Sequence, residues 1–167
     1  MVIDVQPVIR AAAANDIEAG LAVVLAAGMF TREDISVVED LLIRHFAGPP
    51  NDRLCLVSEN GGSVNAIAYA EATPAADRVW YLTMIGVSPA AQRAGVGSAL
   101  LQTVESELVD RCQRLLLVET SALTAYEPAR RFYRRAGYDE EARVRDFHED
   151  GDDMVLFRKR LPRSDPS

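Results

Sequence analysis

Residues Val87–Leu101 read VSPAAQRAGVGSALL, and the centre of that stretch, Gln92–Ser98 (QRAGVGS), decides the fold. An apolar run, Val79–Val87 (VWYLTMIGV), precedes it, and an amphipathic segment, Ser98–Asp110 (SALLQTVESELVD), follows. Gly95 and Gly97 therefore stand where a strand passes into a helix. A helix beginning there leaves its first backbone N–H groups without intrahelical acceptors, and its dipole adds partial positive charge at that end. With no β-carbon in the way, an anion can approach those groups closely, so the junction predicts a phosphate site. It is not a Walker A loop, because no Lys-Ser or Lys-Thr pair follows at the required spacing, and Leu100 breaks the full GxGxxG dinucleotide pattern. On these residues alone, a phosphate cradle and a merely tight strand–helix turn both remain open.

Working outward, the chain alternates strand and helix patterns. VQPVIRAA (residues 5–12) reads as a first strand, and a helix from Asn15 or Asp16 runs to a stop at Gly28. Thr31 with Asp34 three residues on has the spacing of a capping box, opening a helix over 32–47. RLCLVSE (53–59) and SVNAIAYAEA (63–72) are strands joined through Asn60-Gly61-Gly62, a hairpin signal, and TPAAD turns the chain into VWYLTMIGV. Beyond the glycines, Leu100, Leu101, Val104 and Leu108 share one helical face. QRLLLVETS (113–121) is continuously apolar, as for a strand buried on both faces. EPARRFYRRA (127–136) is a helix with Pro128 near its start and Gly137 just past its end. Two last strands, 138–147 and 153–161, flank HEDGDD. The order is β-α-α-β-β-β-α-β-α-β-β, one mixed α/β domain over 1–161, with 162–167 expected to be a disordered tail.

Composition narrows the partners. A chain of 167 residues with 49% hydrophobic and 26% charged residues can bury a real core. A net charge of −7 argues against general binding to nucleic acid or anionic membranes, which need a basic surface. Cys55 and Cys112 both lie in apolar segments and read as buried reduced thiols, and no spacing suggests a metal site. His45 and His148 stand apart without companion ligands, so no metal is assigned. No apolar run reaches membrane-spanning length and the first residues lack a leader pattern, so a cytoplasmic location is expected.

Two linked segments carry a family resemblance. VSPAAQRAGVGSALL resembles the acetyl-CoA signature of the GNAT superfamily of N-acetyltransferases, V-x-P-x-x-Q/R-x-x-G-x-G/A before a leucine-bearing helix. Downstream, ARRFYRRAGY (129–138) is similar to that family's second recurrent segment, A-x-x-F/L-Y-x-x-x-G-F/Y, with a helix and a strand between the two. The resemblance implies an α/β (α+β) fold with a mixed central sheet of about seven strands flanked by about four helices. It also implies acetyl-CoA as co-substrate and acetyl transfer to an amine by direct attack. The pyrophosphate of coenzyme A would lie on the backbone of Gln92, Arg93, Ala94, Gly95, Val96 and Gly97, with the Ser98 hydroxyl close by. The pantetheine arm would run along Ile85, Gly86 and Val87. Tyr133 matches the family tyrosine proposed as general acid for the departing thiolate. Tyr126 occupies the position where the family often places an asparagine against pantetheine, so that contact would differ here.

The attacking amine must lose a proton, and Glu119, near the end of LLLVET, is the leading candidate base, with Glu71 a substitute. Arg93 could meet a phosphate oxygen. Arg130, Arg131, Arg134 and Arg135 form a basic strip that reads first as a solvated helix face. Trp80 reads as core, with lining of the acceptor cleft the other role open to it and to Phe147. The acceptor would be the amine of a small molecule or peptide, and a homodimer is compatible with the resemblance. Three rivals stay open: a longer acyl-CoA, a coenzyme A-binding sensor or interaction module without turnover, and a nucleotide or phosphate binder that converged on the glycine turn.

Overall fold

Each hairpin and helix end follows from local chemistry. Gly61 and Gly62 take φ of +60° and +81°, the two left-handed positions of a primed turn, and so close the strand pair Asn60↔Ser63 to Arg53↔Glu71. Gly28 (φ +70°) and Gly137 (φ +84°) stop two helices in the same way. In each case the glycine N–H and the next N–H turn back onto the helix: Gly28 to Leu25 O and Met29 to Val24 O, Gly137 to Arg134 O and Tyr138 to Tyr133 O.

The computed structural model describes residues 7–48 and 50–163. The elements are β1 (Val8–Ala11), α1 (Ile17–Ala26), α2 (Ile35–Ala47), β2 (Arg53–Asn60), β3 (Ser63–Ala72), β4 (Val79–Val87), α3 (Val96–Asp110), β5 (Leu115–Ser121), α4 (Glu127–Arg135), β6 (Asp139–Glu149) and β7 (Asp152–Arg160). This is the order read from the sequence. The seven strands form one sheet in the order β1-β2-β3-β4-β5-β7-β6, with β4 and β5 parallel and the pairs β1–β2, β2–β3, β5–β7 and β6–β7 antiparallel. No helix among the described residues is long and apolar enough to cross a membrane. The first residues of the expected first strand and most of the expected tail lie outside the described residues.

The described chain divides into two compact units: residues up to Glu71 with Met84–Ser106, and Ala72–Thr83 with the residues from Glu107 on. In the first, Val23, Val24, Val38, Leu42, Cys55, Val57, Ile67, Tyr69 and Met84 form the core. Each valine, leucine, isoleucine or methionine side chain withdrawn from water contributes about 1.5–3 kcal/mol. α2 begins at Ile35 rather than at residue 32. The Thr31 hydroxyl does accept the Asp34 N–H at 3.2 Å, but the two residues close a turn of their own ahead of the helix.

Beside this core, Arg10 grips Asp16 with two hydrogen bonds of 2.7 and 3.0 Å and holds Glu59 at 2.8 Å, while Asp16 also accepts the Ala13 N–H at 2.7 Å. The Arg10 guanidinium is the main reason the Asp16 carboxyl lies below its ordinary value of 3.8. A carboxyl group with a depressed folded value contributes stability that is complete above its unfolded value and disappears as pH falls through the folded one. Arg10→Gln should therefore lower stability at neutral pH and flatten its decline on acidification below about pH 4. Urea midpoints followed from neutral to acid would check this; an acid slope equal to the parent's would remove the pair from the acid limb.

In the second unit β5 pairs with β7 along its whole length and β6 forms the outer edge, exposed at every residue. Contrary to the sequence expectation, β5 is not buried on both faces. Leu116 and Val118 are buried, whereas Leu117 is half-buried and Glu119 exposed, so one face stays open. The strands with long buried runs are β2 and β3. Trp80 is 1% exposed and its indole N–H donates to Gln113 Oε1 at 2.9 Å, which makes it core rather than cleft lining. The cysteine expectation also needs correction: Cys55 is buried, but Cys112 is exposed and takes φ of +57° to end α3 where a glycine is usual. That conformation costs a residue with a side chain about 1–2 kcal/mol.

Candidate functional site

Residues Gln92–Ser98 form an open turn at the head of α3. Gln92, Arg93, Ala94, Gly95 and Ser98 are exposed, while Val96 is buried and pins the first helical turn. The Gly95 carbonyl accepts the Ala99 N–H at 3.0 Å, which makes Gly95 the helix N-cap and leaves the N–H groups of Val96, Gly97 and Ser98 without intrahelical acceptors. Arg93 (φ +64°) and Gly95 (φ +80°) are both left-handed, the backbone region found in the turns that can present N–H groups to an anion. A β-carbon on Gly95 would meet nothing within 4 Å, so the space above this backbone is free for a ligand. Arg93 makes no ion pair among the described residues, which leaves its charge available.

The turn is tied to the end of β4. Ser88 N–H donates to Asn65 O at 2.8 Å, Ala91 N–H to Ser88 O at 2.9 Å, and the Gln92 amide side chain to Val87 O at 3.1 Å. Gln92 thus has a positioning role, and it occupies a carbonyl that a pantetheine arm along Ile85–Val87 would otherwise meet. Gly86 faces the buried side, where a β-carbon would lie 2.9 Å from Met29 Sδ and 3.3 Å from Val24 Cγ1, so its missing side chain lets α1 pack onto β4. Along β4, Trp80, Leu82, Met84 and Gly86 are buried, but Tyr81, Ile85 and Val87 are only half-buried and Thr83 is exposed. An exposed threonine within a central strand marks an open face.

Glu119, Tyr126 and Tyr133 belong to the second unit. The parallel register runs from Val79↔Leu115 to Tyr81↔Leu117, so Glu119, two residues beyond Leu117, projects on the same face as Tyr81. Burial first, and then the charge of Glu119, push the Tyr81 phenol above its ordinary value. Sequence patterning does not single out Tyr81 or Thr83; the polar interruption at position 83 of an apolar run was the available signal. Glu71, in the first unit, accepts a hydrogen bond from the Tyr69 hydroxyl at 3.3 Å. Tyr69 is pushed up to about 12, mainly by burial.

Tyr133 sits on α4 with its ring packed against Phe132, Tyr138 and Phe157 at centroid distances of 5.3, 5.7 and 5.5 Å. The residue is 6% exposed, and burial raises its phenol well above the ordinary value. Its hydroxyl has no hydrogen-bond partner among the described residues, yet it is not a sealed buried orphan. The side chain is therefore a buried ring with an accessible oxygen.

Arg130 corrects the expected solvated strip. It is 6% exposed and donates to the carbonyls of Ser121 and Leu123, while pairing with Glu127 at 2.9 Å. The Ser121 hydroxyl in turn donates to buried Asp152 at 2.5 Å and accepts the Leu123 N–H at 3.0 Å. This network fixes residues 121–127, and with them the start of α4 and Tyr126, which is 44% exposed. Arg134 bridges Glu127 and Glu140. Among the described residues no group of three His, Cys, Asp or Glu side chains could hold a metal ion.

Known proteins resemble this chain. The model of the acetyltransferase (GNAT) family matches residues 25–138. A Methanocaldococcus jannaschii protein named as an N-acetyltransferase is 32% identical over 85 residues, 49% of this chain and 52% of that protein, so the match spans about half the length of that relative. A crystal structure from Desulfovibrio desulfuricans, assigned to the GNAT family of acetyltransferases, superposes with a TM-score of 0.89 at 31% identity, over 94% of this chain and 100% of that one. A Salmonella typhimurium structure containing acetyl-CoA shares the fold, with a TM-score of 0.76 at 18% identity over 97% and 98% of the two chains.

Proposed function

The chain belongs to the GNAT family of acetyltransferases, and from that premise we propose that it moves an acetyl group from acetyl-CoA to the primary amine of a small molecule or a protein by direct attack. The observation that carries the donor assignment is the open turn at Gln92–Ser98, with left-handed Arg93 and Gly95 and free N–H groups at the head of α3. Acetyl-CoA supplies an activated thioester carbonyl and a thiolate leaving group. The backbone of Gln92–Gly97 holds the pyrophosphate, assisted by the Arg93 guanidinium and the Ser98 hydroxyl. The segment Ile85–Val87 of β4, with Ile85 and Val87 on its open face, lies along the pantetheine arm, and a backbone N–H of this strand steadies the oxyanion.

Tyr133 is the general acid. Its hydroxyl is protonated across the physiological range, with burial raising its value further, and it has no hydrogen-bond partner among the described residues. Glu119, exposed on the open face of β5, takes the proton from the acceptor's ammonium group, directly or through water. Tyr126, at the head of α4, stands at the position where the family often has an asparagine against pantetheine. The residues from 1 to 161 serve as one catalytic domain.

Thiol release from acetyl-CoA tests this assignment against a panel of amino acids, polyamines, aminoglycosides and protein N-terminal peptides. Saturable, amine-dependent release is expected with one class. Coenzyme A binding without release on any amine would instead make the chain a non-catalytic binder.

A further inference from the structure

Three strands of the second unit meet one end of the sheet on a single line of hydrogen bonds. Arg114 N–H donates to Arg78 O at 3.0 Å, and Leu161 N–H donates to Arg114 O at 3.0 Å. Arg78 directly precedes β4, Arg114 directly precedes β5, and Leu161 directly follows β7. A cavity of about 400 Å³ opens at this end, lined by Arg78, Arg114, Arg160 and Arg163 together with Leu161 and the Cys112–Gln113 turn. None of these residues belongs to the donor turn.

Four arginines lining one cavity are unexpected in a chain of net charge −7, even with the Arg114 guanidinium donating to Asp77 O at 2.7 Å. Asp77 is the carboxylate paired with them, at 3.1 Å from Arg78 and 3.9 Å from Arg114, and it is itself 73% exposed. Arg160 and Arg163 make no ion pair among the described residues. Like charges gathered in this way repel unless an anion answers them, and the planar fork of arginine fits phosphate oxygens in pairs. Two of the four non-glycine residues with positive φ among the described residues, Arg78 (+51°) and Cys112 (+57°), also line this cavity. Backbone held in such conformations concentrates where ligands are gripped.

We propose that this cavity is a binding site for a compact polyanion of the phosphate or pyrophosphate class, separate from the donor turn. A monocarboxylate can answer only one fork. A group carrying several charges on neighbouring oxygens engages the arginines from three strand ends together.

The probe is inorganic pyrophosphate, titrated calorimetrically into protein saturated with coenzyme A, so that the donor turn is filled, at constant ionic strength set with chloride. One saturable site is expected, weakened at least about tenfold in the Arg160→Gln/Arg163→Gln double variant. Exposed Cys112 supplies a second readout: pyrophosphate should slow its modification by N-ethylmaleimide in the parent, and not in the double variant. Absence of a saturable site, equal affinity in parent and double variant, or unchanged thiol modification would each overturn the proposal. Citrate binding as tightly as pyrophosphate would overturn the phosphate class. Should coenzyme A fail to bind, the donor assignment falls, while the comparison of parent and double variant still decides this site.

Discussion

Gly95→Asp should abolish coenzyme A binding while leaving the fold intact. The position is the N-cap of α3, and its β-carbon would point into free space, so no packed atom is displaced. The left-handed φ of +80° costs a residue with a side chain about 1–2 kcal/mol, a fraction of the stability of a domain this size. In the complex the new carboxylate would stand at the N–H groups meant for the pyrophosphate and repel it. Two unit charges about 4 Å apart near a protein surface repel by about 4 kcal/mol, or about a thousandfold in affinity. Gly95→Ala adds the β-carbon without the charge and should fall between parent and Gly95→Asp. Calorimetric titration with coenzyme A, beside thermal unfolding of each variant, separates binding from folding. Parental affinity in Gly95→Asp would place the phosphate elsewhere.

Legibility of the sequence followed the range of the forces involved. Turns at Gly61-Gly62, Gly28 and Gly137 were readable because only glycine takes those dihedrals cheaply, and the element order followed from them. The start of α2 was misplaced by three residues, since Thr31 and Asp34 close a turn whose spacing is the same as that of a cap. The burial of β5 was misjudged because a run of leucines does not reveal whether anything covers the second face. In the structure Glu119 is exposed. Arg130 and Ser121–Asp152 were invisible for a related reason. A charged residue on an amphipathic helix reads as solvated, and only tertiary structure brings the carbonyls of Ser121 and Leu123 to its guanidinium. The donor turn was the most legible part of the candidate site, being built from contiguous backbone. The basic cavity was the least legible, because its arginines come from positions 78, 114, 160 and 163, which only the sheet unites.

Tyr133→Phe should lower kcat by about 10²–10⁴-fold and leave coenzyme A affinity near that of the parent. The ring is held by Phe132, Tyr138 and Phe157, and phenylalanine keeps every one of those contacts. The hydroxyl makes no hydrogen bond among the described residues, so its removal orphans no donor or acceptor there and should shift the unfolding midpoint little. Loss of turnover therefore cannot be charged to folding. A tyrosine that only packs its helix against β7 would give the opposite pattern, with activity preserved along with stability. The pH profile adds a discriminating readout. Burial raises the Tyr133 phenol, so the acid stays protonated from neutral into alkaline conditions and is lost only as pH climbs through that raised value. The parent's alkaline limb of kcat should hold higher than a free phenol near pH 10 would allow, and the residual activity of Tyr133→Phe should lack that limb. Matching kcat and matching alkaline limbs in parent and variant would remove Tyr133 from proton transfer and leave departure of the thiolate to solvent.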